Sequence, residues 1–452
     1  MAPLPAQGGA RHRAGVRSRQ GRGRHLGQRP SRLPAFPGRS RGRSGGIAGG
    51  GRRTVSTAPE DVLVTGYGVL TAHGFGEEAL RTGVFAGRPA FRPVERFDTR
   101  PFRGRHAAVP ATAPLPGDSP DRTPSQRDAL VACARAALEM AGLAGHSRVD
   151  VLVGTQGDHR EVTAFWSARQ HGSGDGAGER VTESLPAALA GVVATCLGLT
   201  GRRLAFVNAC VASSNALIHG ARLVSTGRAD TVLCAGAYLV EREFFAKFDS
   251  GRAFATDGRV RPFSADRTGL LLGDGVAALV LEAASRVRAR GGEPLARIGG
   301  WGIASDAYHV CRPHPEGDGL SAAMTTAIRR AGAAPEDIGY VNAHGTGTRI
   351  NDSAESTALH RTFGTAAPSL PVSSTKSTTG HMLEGSGAVE AVISLYALRH
   401  GILPPTAGYT AADPACDLDW IPNEPRAAAV RKVLTANAAF GGVNTAIVLE
   451  RS

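Results

Sequence analysis

The chain has 452 residues, with 52 Lys+Arg against 39 Asp+Glu and a formal net charge of +13. That excess lies between Met1 and Arg53, where thirteen Arg stand with no Lys, Asp or Glu, so the rest balances at 39 against 39 and a nucleic-acid-binding body is excluded. The longest apolar stretch, Leu189 to Leu199, is too short and too rich in Ala and Gly to cross a bilayer, which excludes a membrane-spanning helix.

Residues 1–60 read as a disordered Arg/Gly-rich tail, since Gly, Arg, Pro and Ser cannot bury enough surface to offset chain entropy. A mis-assigned start, with Val55 or Val62 beginning the protein, and a targeting segment are the other readings of this stretch. Past the tail, Asp61–Leu70 is expected to form a buried strand followed by a Gly turn. Phe91–Arg122, rich in Pro and Arg, is expected to be surface loop. Ser125–Ala144 has helical spacing, and Val149–Gly154 and Thr231–Gly236 read as short strands. Helical segments alternating with short Val/Leu strands argue for an α/β protein.

The chain also resembles itself. Asp61-Val-Leu-Val-Thr-Gly-Tyr-Gly-Val-Leu-Thr-Ala72 is similar to Leu295-Ala-Arg-Ile-Gly-Gly-Trp-Gly-Ile-Ala-Ser-Asp306, and Leu204-Ala-Phe-Val-Asn-Ala-Cys210 to Ile338-Gly-Tyr-Val-Asn-Ala-His344. Two pairs in the same order predict a duplicated α/β unit, divided into residues 61–293 and 294–452.

Six cysteines, at positions 133, 196, 210, 234, 311 and 416, show no CxxC pair and no metal-ligand spacing with His, so reduced thiols in a cytoplasmic protein are expected, without a metal site. Cys210 differs from the rest because it closes an apolar strand just before Val211–Thr226, a segment of helical spacing. A helix N-terminus there would lower the thiol pKa and supply thiolate; the alternative is a buried structural cysteine. Two histidines follow on turns of small residues, His344 in Ala343-His-Gly-Thr-Gly-Thr348 and His381 after Ser374-Thr-Lys-Ser-Thr-Thr-Gly380, where an imidazole has room to meet a ligand. Lys376 and Glu390 flank His381, either as an ion pair orienting that ring or as an ordinary solvated pair.

Val207-Asn-Ala-Cys210, Asn342-Ala-His-Gly-Thr-Gly-Thr348, Ser373-Ser-Thr-Lys-Ser-Thr-Thr-Gly-His381 and Asn437-Ala-Ala-Phe-Gly-Gly-Val-Asn444, in this order, resemble the β-ketoacyl-acyl-carrier-protein synthase family, in its elongating Cys-His-His form. Arg261–Gly275, Ser305–His309 and Asn351-Asp-Ser-Ala-Glu355 support the resemblance, which spans Asp61 to Glu450. It implies a thiolase-like fold of two duplicated halves in five alternating α/β/α/β/α layers. It also implies a homodimer, or a heterodimer with a related ketosynthase-like chain, in which strand Leu204–Asn208 pairs across the two-fold axis. The implied substrates ride on the phosphopantetheine of an acyl carrier protein, with no cofactor bound to the enzyme.

By this resemblance Cys210 takes up the acyl chain. His381 chiefly stabilises the enolate formed when a malonyl thioester loses carbon dioxide, and His344 shares in decarboxylation. The N-H groups of Cys210 and Phe440 form the oxyanion hole, with Lys376, Glu390, Asn351, Asp352 and Glu355 in support. Val211, Ala438 and Phe440 border the acyl pocket. Three features depart from the family pattern: Val211-Ala212 after the nucleophile where Ser or Thr is usual, Ala438 where relatives place a gating Phe, and Glu384 where they place a small residue. They favour a specialised polyketide or fatty-acid-like type II pathway. The alternatives are a non-catalytic chain-length or scaffold partner, and an acyltransferase that uses the same Cys without decarboxylation.

Overall fold

The computed structural model describes residues 59–112, 115, 123–170, 172 and 181–452, so the tail lies outside it. Ten strands build the core: β1 Val62–Thr71, β2 Asp150–Gly154, β3 Arg203–Phe206, β4 Thr231–Tyr238, β5 Gly275–Ala283, β6 Ala296–Ser305, β7 Tyr340–Asn342, β8 Val372–Ser373, β9 Lys432–Ala438 and β10 Val443–Glu450. Their lateral order is β8-β7-β9-β10-β6-β1-β5-β4-β2-β3. β1 to β5 therefore lie in the order 3-2-4-5-1, and β6 to β10 repeat it strand for strand, with the same pattern of two parallel and two antiparallel pairings. The halves meet at three residue pairs, Val62↔Ile298, Leu63↔Arg297 and Val64↔Ala296.

This order confirms the duplication and corrects its second pairing. β1 does match β6. The strand before Cys210, β3, takes the place of β8, which leads to Lys376 and His381, while β7, which leads to His344, corresponds to β2. Short apolar strands of one sheet resemble each other whatever their position, because a few Val, Ala and Leu suffice for any of them.

Helices flank the sheet, among them α1 Gln126–Met140, α2 Ala212–Ser225, α3 Asp318–Arg330, α4 Arg349–Phe363 and α6 Ser386–His400, with the single turn α5 Lys376–Thr379 before the last. Helix α1 starts where a capping box dictates, with the Ser125 hydroxyl accepting from Asp128 N and the Asp128 carboxylate from Ser125 N; it covers the outer face of the first half. Helices α3 and α4 cover the outer face of the second. Between the halves run α2 and α6, in one apolar cluster with Val64, Leu281, Ile298 and Ile447 from strands of both. Every residue of α6 from Ser386 to Leu398 is buried, as its lack of a polar face demands. Because α2 and α6 are shared, Val55–Ser452 is one compact unit.

The expected loop Phe91–Arg122 instead contains an antiparallel ribbon, Phe91–Pro93 on His106–Ala108, which its Pro and Arg content hides. No helix among the described residues is long and apolar enough to cross a membrane.

Candidate active site

Each reactive side chain stands where a strand of the first or second half runs out. After β3 the backbone turns through Ala209 at φ 51° into a single 3-10 turn, Ala209–Val211, and then into α2. A left-handed conformation is strained for alanine, and it presents Cys210 at the head of the helix. Gly154, at the end of β2, lets this turn approach, since a Cβ there would lie 2.3 Å from Ser213 N.

His344 follows β7, and His381 follows α5; their rings meet edge to face with centroids 5.2 Å apart. Cys210, His344 and His381 are 6%, 4% and 3% exposed, a closed site in which electrostatic effects are strong. Two carboxylates from α4 brace the His344 loop. Glu355 accepts from His344 N and Gly345 N, both at 2.7 Å, and Asp352 accepts from Phe263 N, Thr346 N and Gly347 N. The Asn351 amide donates to both. Burial raises Asp352 to about 6 and Glu355 to about 7. The His381 backbone is held by Leu271 O and Gly273 N, and its Nδ1 lies 3.2 Å from Ser386 Oγ.

Lys376 and Glu390 form a completely buried ion pair, so the solvated alternative is wrong. The second Glu390 oxygen accepts from the Asn437 amide, whose own oxygen accepts from Ser214 Oγ at 2.7 Å. This chain of bonds ties α5, α6 and β9 to the first turn of α2. Ser213 Oγ adds a bond from Ala388 N at the start of α6. None of Ser213, Ser214, Ser386 and Asn437 was singled out for this role from sequence. Asn437 opens the Asn437–Asn444 run, and the polar pair Ser213-Ser214, three residues beyond the nucleophile, is the sequence signal for it.

Burial first, and then the adjacent Lys376 charge, hold both imidazoles well below their ordinary pKa, so they are neutral. The Cys210 thiol departs from expectation. Burial, followed by the Glu384 carboxylate, pushes it up to about 12 against the lowering influence of Lys376. The helix N-terminus does not yield a resting thiolate, because the cysteine is sealed into an apolar cluster with Phe245, Phe248, Leu271 and Leu383. Glu384 is 2% exposed, bonds to Gln156, and is itself raised to about 7 by burial.

The remaining predicted residues fall around this center. Val211 is fully buried. Phe440 is 54% exposed and stacks on Phe248 at 5.9 Å; among the described residues its N-H makes no hydrogen bond, whereas Ala439, Gly441 and Gly442 all donate to carbonyls. Ala438 does not join the Cys210 cluster. Strand alternation sends it the other way, into a small cavity with Asp306, Leu320, Asn351, Glu355 and Asn444, and Ala439 packs on the cluster instead. The expected gating position is therefore off by one residue, and a one-residue offset reverses the face.

The family of the β-ketoacyl synthase N-terminal domain matches residues 59–286, and that of the β-ketoacyl synthase C-terminal domain matches residues 295–410. This chain belongs to the β-ketoacyl synthase family. The condensing enzymes of this family are acyltransferases. Over 416 residues the chain is 34% identical to the tetracenomycin polyketide synthase ketoacyl synthase alpha subunit of Streptomyces glaucescens, covering 87% of this chain and 98% of that one. It is 33% identical to 3-oxoacyl-[acyl-carrier-protein] synthase 2 of Coxiella burnetii, over 86% of this chain and 98% of the relative. Among solved structures, the ishigamide ketosynthase/chain length factor superposes with a TM-score of 0.80 at 32% identity, over 87% of this chain and all of that one. The thiolase-like fold expected of the family is the fold observed.

Proposed function

We propose that this β-ketoacyl synthase is a catalytic condensing subunit of a type II polyketide or fatty-acid-like pathway, acting in the cytoplasm on chains carried by the phosphopantetheine of an acyl carrier protein. The observation that carries the reading is a buried cysteine on a strained turn and two neutral imidazoles packed edge to face, all three within reach of the Lys376 charge. A scaffold needs none of these.

In the first stage the Cys210 sulfur attacks the carrier thioester carbonyl and carrier thiol leaves. A thiol raised to about 12 must lose its proton as attack proceeds, and a neutral imidazole is the base at hand. The tetrahedral oxygen is received by the N-H groups of Cys210 and Phe440, the latter without another acceptor. In the second stage a malonyl thioester loses carbon dioxide, and the electron pair of the broken C-C bond passes to the thioester oxygen. His381 Nδ1 lies 3.2 Å from Ser386 Oγ, and in the tautomer where that hydroxyl donates, the ring proton sits on Nε2, a donor for that oxygen. His344, also neutral, is the second donor. The resulting enolate carbon attacks the Cys210 acyl thioester and frees the sulfur. Residues 61–293 thus supply the nucleophile and 294–452 both histidines.

The assembly we propose is a dimer across β3, with a second copy or with a related chain. β3 is the end strand of the sheet, and Leu204 within it and Val207 just after it are 37% and 55% exposed. The ishigamide relative, a ketosynthase/chain length factor, supports the second choice.

Intact-protein mass spectrometry after incubation with an acyl carrier thioester and a malonyl carrier tests the reading. An acyl adduct followed by elongation, absent in Cys210→Ala and retained when the other five cysteines are replaced, is expected. An adduct without carbon dioxide release would assign simple acyl transfer, and no adduct would assign the scaffold role.

A further inference from the structure

Away from Cys210, a cavity of about 510 Å3 opens where the chain leaves β1, lined by His73, Phe75, Arg88, Arg92, Thr112 and Leu115 among others, with no carboxylate among the described residues of its wall. Arg88 and Arg92 make no ion pair and no side-chain hydrogen bond among the described residues, and Arg92 Nε is buried without a partner. His73 Nε2 is likewise buried and unpartnered. Its ring is fixed from the other side: it bonds to the Thr378 carbonyl of α5, and a Cβ on Gly83 would fall 2.2 Å from it. Thus only glycine there leaves space for the imidazole.

Arg88 and Arg92 line one cavity with His73, and the buried, unpartnered Arg92 Nε and His73 Nε2 leave two polar atoms that an anion would complete. We propose that this cavity is a binding site for a dianionic phosphate group, clamped by Arg88 and Arg92 with His73 Nε2 as the third contact. Two cationic forks match two negative charges, which one carboxylate does not. A water occupies roughly 30 Å3, so the cavity also has room for an organic group attached to the phosphate. Burial, then Arg92 and Arg88, hold His73 down at about 4, and these arginines are the charged groups that face it. A bound dianion opposes the two arginines while burial remains, so the His73 pKa moves up as the ligand arrives, and the protonated ring offers Nε2 as a donor.

The experiment is titration calorimetry of the whole chain with inorganic phosphate, with glycerol 3-phosphate, and with acetate at matched ionic strength. Histidine NMR follows the His73 ring in parallel. Saturable binding of phosphate, weakened tenfold or more by Arg92→Gln and by Arg88→Gln, with a His73 protonation shift on binding, is expected. Arg88 is solvent-exposed, so its variant tests the site even if Arg92→Gln does not fold. Glycerol 3-phosphate binding as tightly as phosphate identifies an ester as the natural ligand, and phosphate binding alone identifies the free ion. Acetate matching phosphate, undiminished binding in Arg88→Gln, or no saturable binding by the wild type overturns the proposal.

Discussion

Replacing Lys376 by Met removes one half of an ion pair in which neither side chain reaches solvent. The Glu390 carboxylate then keeps the Asn437 amide but faces no cation, and breaking a buried pair this way costs about 3–5 kcal/mol. Burial already raises Glu390, with Lys376 opposing. Without Lys376 the carboxyl rises further, and because a folded pKa above the unfolded one gives stability that is lost as pH rises, the deficit grows from about pH 5 to about pH 8. Removing both charges in Lys376→Met/Glu390→Leu leaves no orphaned ion, so the double variant is more stable than the single one. A second readout is independent of folding: with Lys376 gone, His344 and His381 lose a neighbour that lowers both, and their NMR titrations move up toward the ordinary histidine range. Denaturant midpoints for the two variants at both pH values, together with the imidazole titrations, decide the matter. A single variant costing under about 1 kcal/mol, a double variant less stable than the single, or unmoved imidazoles would refute the account of this pair.

His381→Ala is expected to retain acyl loading of Cys210 while carbon dioxide release from the malonyl thioester falls roughly a hundred- to a thousandfold, read by single-turnover assays of the two stages. Ala439→Phe crowds the Cys210 cluster and is expected to disfavour long acyl chains by about 1–3 kcal/mol, whereas Ala438→Phe overfills the neighbouring cavity and lowers the melting temperature with equal losses for short and long chains. Competition between two carrier-bound chain lengths separates them. Glu384→Gln removes a carboxyl raised to about 7, which ionises above that pH and then pushes the thiol up. The variant should label faster with iodoacetamide at about pH 8 and at the wild-type rate at about pH 5. Its stability should exceed the wild type at the higher pH by at most roughly 3 kcal/mol, the cost of ionising a carboxyl so displaced; a pH-independent rate ratio would show that Glu384 does not act on Cys210 by charge.

Local pattern alone was sufficient for much of this molecule. The strand-turn-helix at Cys210, the two histidines on small-residue turns, the helix after Ser125 and the duplication rest on short-range features: apolar runs, glycines and a capping box. The first-half strand matching β7 was misassigned because apolar strands carry no label of their place in a sheet, which nonlocal pairing alone assigns. The protonation of Cys210 was likewise decided by tertiary structure. A helix N-terminus is visible in the sequence, but the phenylalanines and Glu384 that seal the thiol come from far along the chain. Lys376 and Glu390 stand fourteen positions apart, and only the packing of α6 between the two halves makes them a buried pair bonded through Asn437 to Ser214. Ala438 and Ala439 are adjacent in sequence and opposite in effect, since the register of β9 against β10 sets which of them reaches the nucleophile's pocket.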